Sequence, residues 1–168
     1  HLFGAVIVKI LDKHKDWSGI VVGDEPREKY NFKHKNLKYM GWISHKKTLE
    51  LYSKTSISVA PSFWEEPFGR TSMEAASRGC ATIISKKGGL IETIPNAIYI
   101  SNLNSKNLFN KIENLINNNK MRTELQKNSF KNVFHNLYSN TKKIDAYRDE
   151  ILNVTKFFVS KKPQLKIL

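Results

Sequence analysis

The sequence predicts an α/β fold in which a parallel sheet is covered by helices on both faces. Two observations favour this class. Short, continuous apolar runs, each typical of a buried strand, alternate with amphipathic segments of helical spacing. Several of the runs are followed by glycine or proline, residues that end strands at a loop. After residue 105 only helical patterns remain, so we predict a Rossmann-like domain over residues 1–135 and a C-terminal helix with a tail over residues 136–168.

The elements can be assigned in order along the chain. A first helix is predicted over residues 1–17, because apolar residues recur there at helical spacing, from Leu2 to Leu11. Five strands are predicted over residues 19–24, 36–41, 56–61, 80–85 and 97–101. Helices are predicted over 44–55 with Ser44 as N-cap, 71–79 with Gly79 at its end, 89–94 as a single turn, and 105–120, 121–136 and 139–158 with Asn-rich loops between them. Residues 25–35 are predicted to be a polar loop and residues 160–168 a loose tail.

The chain is strongly basic, with 28 lysines and arginines against 15 acidic residues and a formal net charge of +13. Such an excess favours an anionic partner: nucleic acid, an acidic membrane surface or a phosphorylated small molecule. A lysine-rich solvated surface explains the charge equally well. Because the basic residues are spread along the chain, we expect no nucleic-acid partner, although a basic nucleic-acid-binding module stays the alternative from another functional class.

The cysteine content, the length of the apolar runs and the first residues narrow the class of protein further. A single cysteine, Cys80, excludes a disulfide framework within the chain and favours a reducing, cytoplasmic compartment, and its setting predicts a small buried residue. The sequence has no apolar run long enough to span a bilayer. It begins at His1 within an apolar periodic segment, so we expect a fragment of a longer protein.

Polar turns follow the predicted strands, and in a parallel sheet the carboxyl ends of the strands share one edge. The turns at Gly23, Gly41, 61–69 and 88–89 are therefore expected to form one cleft. At that edge, the start of the helix after Gly69 would offer unpaired N–H groups to an anion.

Two carboxylates flank this helix start. Glu66 and Glu74 could accept hydrogen bonds from sugar hydroxyls at two points along one ligand, with a diphosphate between them on the helix terminus. The run from Thr71 to Glu74 equally fits a capping box, in which Glu74 would satisfy the start of its own helix. Glu65 is predicted to be solvated.

The segment PSFWEEPFGRTSMEAASRGCATIISKKGGLIET, residues 61–93, resembles the signature region of retaining glycosyltransferases of family four, which have the GT-B fold. The matching positions are Glu66, Phe68, Gly69 and Glu74, the Pro61-Ser62 pair before them, and Gly79, Gly88, Gly89 and Glu92 after them. The resemblance extends upstream through YMGWIS and covers residues 1–135. It implies the C-terminal, donor-binding half of a bacterial GT-B hexosyltransferase.

The resemblance also implies roles for single residues. Glu66 would contact hydroxyls of the donor sugar and is the candidate catalytic residue, acting by positioning rather than as a general base. Glu74 would bind the ribose hydroxyls of the nucleotide. The other implied substrate-binding residues are Phe68, Gly69, Arg70 and Thr71 around the sugar and diphosphate, Trp42 and Ile43 against the nucleobase, and Gly88 and Gly89 in the cleft floor.

This sequence departs from the family's pattern at one point. The family's diphosphate-binding Arg and Lys would fall before His1, as would the first strand and the N-terminal domain that binds the sugar or lipid-linked acceptor. We therefore expect this fragment alone to be inactive, or to be a non-catalytic nucleotide-sugar-binding module.

The implied reaction takes a nucleotide-diphosphate-sugar as donor substrate and needs no cofactor. No Asp-x-Asp motif occurs in the sequence, and the histidines lack metal-ligand spacing, so no metal site is predicted. Cell-envelope polysaccharide or glycolipid synthesis at the inner face of the membrane is expected from the resemblance. The basic C-terminal helices could contact that membrane peripherally or form a solvated face.

Overall fold

The computed structural model describes residues 2–23, 32–94 and 96–160. Its strands are parallel and flanked by helices, which confirms the predicted α/β, Rossmann-like class. The elements in chain order are α1 Leu2–Lys13, β1 Gly19–Val21, β2 Leu37–Tyr39, α2 His45–Tyr52, β3 Ile57–Ala60, α3 Arg70–Ser77, β4 Ala81–Ser85, α4 Leu90–Thr93, β5 Ile98–Ile100, α5 Ser105–Asn117 and α6 Asn119–Ser160.

The main core lies between α1, strands β4 and β5, and α5. Helix α1 buries the residues that its apolar periodicity predicts, among them Val6, Ile10 and Leu11. This face packs against α5, which contributes Leu108, Ile112 and Leu115 to the same core cluster. Strand β4 is buried along its whole length, as expected for a central strand of a sheet covered on both faces.

The five strands do not form the single sheet that the sequence predicts. Strands β1 and β2 make one parallel pair, and strands β3, β4 and β5 make a separate parallel sheet in that order. The prediction of one continuous sheet is wrong for the described residues. Side-chain patterns identify strands, but they carry no information about which edges pair.

Helix α6 differs from the prediction because it continues through the Asn-rich stretch near residue 137, where we expected a loop. That stretch contains neither proline nor glycine, so nothing in it forces the helix to end. By its internal contacts the chain divides into two compact units, residues 1–133 with both sheets and residues 134–168 with the C-terminal part of α6. In the second unit, Arg148 binds Asp145 at 2.8 Å and Asp149 at 2.9 Å.

None of the helices in the described ranges has the length and apolar character needed to cross a membrane. The predicted tail after residue 160 and most of the predicted loop over 25–35 lie outside the described residues.

Candidate functional site

A groove of about 1140 Å³ runs along β1 and β3 and reaches the turns that follow the carboxyl ends of these strands. The turns after β1 and β2 meet there, since the Gly23 N–H donates to the Gly41 carbonyl at 2.9 Å. Four of the predicted site residues line the groove: Trp42, Ile43, Thr71 and Glu74. The other six belong to the segment before α3, to the first residue of α3 and to the turn after β4: Glu66, Phe68 and Gly69, then Arg70, then Gly88 and Gly89.

Glu74 lies one turn into α3, and its side chain is only 16% exposed. Its carboxylate is 3.2 Å from Nε2 of His45 and 3.6 Å from Nη2 of Arg70. The acidic side chain therefore faces two nitrogen groups from different elements, α2 and its own helix. Glu74 is not part of a capping box, so that alternative is wrong.

The start of α3 is capped by backbone conformation instead of a side chain. Gly69 is the N-cap, with φ of 79° in the left-handed region that favours glycine, and no side chain bonds to the helix start. The N–H groups of Ser72 and Met73 donate to the Gly69 carbonyl at 3.1 and 3.3 Å. The N–H groups of Arg70 and Thr71 precede these bonds and have no partner within the helix, which makes the helix start suitable for an anion.

Glu66 is half-buried in the loop between β3 and α3. The hydroxyl of Ser62 accepts from the Trp64 N–H at 3.1 Å, and its proton is shared between Oε1 of Glu66 at 3.3 Å and the Trp64 carbonyl at 3.2 Å. The Glu66 carbonyl accepts from the Gly89 N–H at 2.7 Å. The loop thus holds the Glu66 carboxylate in place through Ser62 and joins the glycine turn through its backbone.

Glu65, predicted to be solvated, is exposed but bonded to the same turn. Its carboxylate accepts from the Gly88 N–H at 2.6 Å and lies 3.0 Å from Nζ of Lys87. The bond from Lys87, and then that from Gly88, lowers the pKa of Glu65. Glu65 therefore acts as a link between the two loops.

Gly88 and Gly89 allow this close approach of the two loops. Gly88 has φ of 49°, and a Cβ atom there would lie 2.8 Å from the backbone nitrogen of Glu66. A Cβ atom on Gly89 would meet the backbone of Pro67 and Phe68. The glycine turn supports the loop that carries Glu66.

His45 is the site residue that the sequence analysis missed. It begins α2 directly after the Gly41 turn, at the edge of the sheet where the other site residues lie. Its position after a strand and a turn was an available signal, but its pairing with Glu74 depends on how α2 packs against α3.

The comparison with protein families decides the assignment of this domain. The model of the family "Glycosyl transferases group 1" matches residues 3–132. The chain belongs to this family. No curated protein matches the chain.

Solved structures agree with the group 1 assignment. The C-terminal domain of LpcC, a group 1 family glycosyl transferase from Francisella tularensis, is 26% identical with a TM-score of 0.70, over 80% of this chain and 76% of that one. HepE from Anabaena, solved with UDP-glucose, is 18% identical with a TM-score of 0.66, over 83% of this chain and 44% of that one. A glycosyltransferase from Rickettsia africae is 23% identical with a TM-score of 0.67, over 87% of this chain and 44% of that one. The group 1 domain therefore has the fold of the C-terminal domain of LpcC and spans less than half of the HepE and Rickettsia chains.

Proposed function

We propose that this chain is the donor-binding half of a retaining hexosyltransferase of family four, which uses a nucleotide-diphosphate-sugar. The observation that carries this proposal is the position of Glu74, at the end of a groove formed by parallel strands in a group 1 glycosyltransferase domain. The Anabaena neighbour was solved with UDP-glucose, which supports a nucleotide sugar as the ligand class.

The donor would be bound at three places. The Glu74 carboxylate accepts hydrogen bonds from both ribose hydroxyls, while the nucleobase lies against Trp42 and Ile43. The diphosphate takes the N–H groups at the start of α3, where Arg70 adds positive charge. Glu66, held by Ser62, accepts from hydroxyls of the sugar. Phe68, whose side chain is exposed, would contact the donor, and the Gly88–Gly89 turn supports this loop.

Catalysis would depend mainly on stabilising the departing diphosphate. The bond from the anomeric carbon to the diphosphate breaks, a bond to the acceptor oxygen forms with the same configuration, and the acceptor's proton leaves with the phosphate. Positioned N–H donors and cations stabilise the charge that develops on the leaving group. No metal or cofactor is needed in this scheme. Glu66 contributes by holding the sugar in the reactive orientation.

The whole protein would have an N-terminal domain that binds a sugar or lipid-linked acceptor, and it would act in bacterial cell-envelope polysaccharide or glycolipid synthesis. The chain has 28 basic and 15 acidic residues, and this positive charge is compatible with binding to the anionic inner face of the membrane. Vesicles containing anionic lipid should retain the protein at low salt and release it at high salt.

Nucleotide binding tests the proposed site directly. UDP, GDP and ADP are titrated by calorimetry against the chain, the Glu74→Gln variant and the Glu50→Gln variant, a matched control on the exposed side of α2. For the nucleotide that binds, we expect Glu74→Gln to lose affinity about ten- to a hundredfold, because two hydrogen bonds to a charged acceptor are weakened. Glu50→Gln should bind like the unchanged chain.

The 2′-deoxy form of the same nucleotide identifies the partner of Glu74. It should bind the unchanged chain more weakly than the ribose form, and this difference should disappear in Glu74→Gln. If none of the three nucleotides binds, or if Glu74→Gln and Glu50→Gln behave alike, the proposed site is wrong. Tight binding of DNA or RNA that weakens steeply with salt would favour the nucleic-acid-binding alternative.

A further inference from the structure

Both nitrogen partners of Glu74 contact the same oxygen of its carboxylate. Nε2 of His45 lies 3.2 Å from Oε1, and Nη2 of Arg70 lies 3.6 Å from Oε1. The second oxygen, Oε2, takes part in neither contact. Because an ionised carboxylate can accept about two hydrogen bonds at each oxygen, these two contacts leave the capacity of Oε2 unused.

The contacts from His45 and Arg70 differ in what they can hold. The 3.2 Å separation from His45 is within the range of hydrogen bonds, whereas the 3.6 Å separation from Arg70 is beyond it. Arg70 lies one turn away on α3 itself and its side chain is 76% exposed, so this pair is a weak one on the surface of a single helix. His45 belongs to α2, and its contact therefore ties the Glu74 carboxylate to a second element.

The position of His45 is determined by the start of α2. His45 is the first residue of this helix and directly follows the N-cap, Ser44. The Ser44 hydroxyl accepts from the Lys47 N–H at 3.4 Å, and the Ser44 carbonyl accepts from the Thr48 N–H at 3.0 Å. The Thr48 hydroxyl donates to the same carbonyl at 3.2 Å. These bonds close the first turn of α2 and fix the point from which the His45 side chain leaves the helix.

The other end of α2 is tied to the residues that follow α3. Sγ of Cys80 donates at 3.3 Å to the carbonyl of Tyr52, the last residue of α2. The backbone N–H of Cys80 donates to the carbonyl of Ala75 in α3 at 3.1 Å. The two helices also pack against each other. The placement of α2 beside α3 therefore does not depend on the contact between His45 and Glu74, and a substitution at His45 should leave both helices in place.

His45 and Glu74 line the same groove as Trp42 and Ile43, the residues that we propose lie against the nucleobase. In a nucleoside diphosphate the ribose joins the base to the phosphates, so a carboxylate that binds the ribose must point along the groove from the base towards the start of α3. A carboxylate that turns freely about its last bond pays an entropic cost when it is fixed by a ligand. A partner that fixes the carboxylate before binding removes much of this cost.

We propose that His45 is a positioning residue for nucleotide binding. Its Nε2–H donates to Oε1 of Glu74 and holds the carboxylate so that Oε2 accepts from the ribose hydroxyls. His45 does not touch the nucleotide in this scheme and acts through Glu74 alone. Both the imidazolium and the neutral tautomer protonated at Nε2 carry the N–H that this role needs. The inference rests on the proposed nucleotide site and assigns the residue that orients its acid.

Calorimetry with UDP, GDP or ADP, whichever binds the unchanged chain most tightly, tests this role. The variants are His45→Ala, which removes the donor, His45→Gln, which keeps a side-chain N–H donor, and Lys46→Gln, a matched control exposed in the same turn of α2. We expect His45→Ala to bind the nucleotide about three- to tenfold more weakly, because Glu74 keeps its charge but loses its orientation. His45→Gln should recover most of this loss. Lys46→Gln should bind within about twofold of the unchanged chain, as expected for an exposed charge.

Two comparisons separate positioning from a direct contact with the nucleotide. Adding His45→Ala to the Glu74→Gln variant should change the affinity by less than about twofold, because the two substitutions remove the same interaction. His45→Ala should also reduce the preference for the ribose form over the 2′-deoxy form, a change that a general loss of folded protein would not produce.

Three results would contradict the inference. If His45→Ala weakens binding equally with and without Glu74→Gln, His45 binds the nucleotide itself or only supports the fold, and the positioning role is overturned. If His45→Ala binds like the unchanged chain while Glu74→Gln binds weakly, the positioning role is overturned and the proposed site stands. If Glu74→Gln has no effect on affinity, the proposed site and the inference are overturned together.

Discussion

At the scale of single residues, Cys80 shows how burial changes chemistry in this domain. Its side chain is fully buried, and Sγ donates to the Tyr52 carbonyl at 3.3 Å. Burial disfavours the thiolate and raises the pKa of Cys80 to about 12 from an ordinary value of 9.0. Between pH 9 and 12 the Cys80 thiol therefore keeps its proton in the folded state and loses it in the unfolded chain. The contribution of this thiol to the free energy of unfolding is complete below pH 9 and falls as the pH rises towards 12.

This shift predicts a pH dependence that the Cys80→Ala variant should lack. Between pH 8 and about 10.5, the free energy of unfolding of the unchanged chain should fall by up to about 2 kcal/mol more than that of Cys80→Ala. Urea unfolding of both proteins at the two pH values measures this difference. Burial, and then the charge of Cys80, raises the pKa of Tyr52, so the difference between the two proteins includes this coupling. Parallel pH profiles of the two proteins would show that the folded state does not raise the pKa of Cys80.

Single residues also show what the sequence could and could not predict about the site. The burial of Cys80 followed from its apolar neighbours, and Ser44 was correctly predicted as the N-cap of α2. The surroundings of Glu74 did not follow, because its neighbour His45 is on another helix. The capping box failed for a related reason: the conformation of Gly69, rather than the Thr71–Glu74 pattern, determines where α3 begins.

At the scale of elements, the start of α3 depends on Gly69 for two separate reasons. Its φ of 79° disfavours any residue with a side chain, and a Cβ atom there would press against the side chain of Leu90. Gly79 follows the same helix with φ of 83°, but a Cβ atom on it would meet no atom within 4 Å. Alanine substitutions at the two glycines therefore distinguish the cost of backbone strain from the cost of steric contact with Leu90.

We expect Gly79→Ala to lower the free energy of unfolding by about 1 kcal/mol, the cost of a left-handed alanine. Gly69→Ala should lose more, by about 1–3 kcal/mol beyond that value, because Leu90 must also move. Urea unfolding of the two variants measures both losses. Equal losses would mean that Leu90 adapts without cost and that only backbone conformation requires Gly69.

Elements were predictable to the extent that they depend on local pattern. The apolar spacing from Leu2 to Leu11 was sufficient to place α1, and five apolar runs were sufficient to place five strands. The continuity of α6 was not predicted, because asparagine and serine only weakly disfavour a helix. The split between β2-β1 and β3-β4-β5 was not predicted either, since pairing depends on which strands are neighbours in space.

At the scale of the whole molecule, the candidate site residues all come from one domain. In our proposal, the groove and the loop with Glu66 would provide the groups that bind a nucleotide and its sugar, all from the donor-binding half. In that proposal the acceptor hydroxyl is positioned by the N-terminal domain, and positioning two reactants accounts for about 7–11 kcal/mol of the barrier in well-oriented reactions. We therefore expect the 168-residue chain alone to retain nucleotide binding and to lack turnover.

We predict that the purified 168 residues bind the nucleotide but transfer no sugar, whereas the full-length enzyme transfers it with retention. With the same donor and acceptor, NMR of the product from the full-length enzyme should show the anomeric configuration of the donor, and the 168-residue chain should give no product above the no-enzyme control. Full-length Glu74→Gln checks that turnover depends on the proposed site. Turnover by the 168 residues alone would mean that acceptor positioning lies within this half, and an inverted product would exclude the retaining assignment.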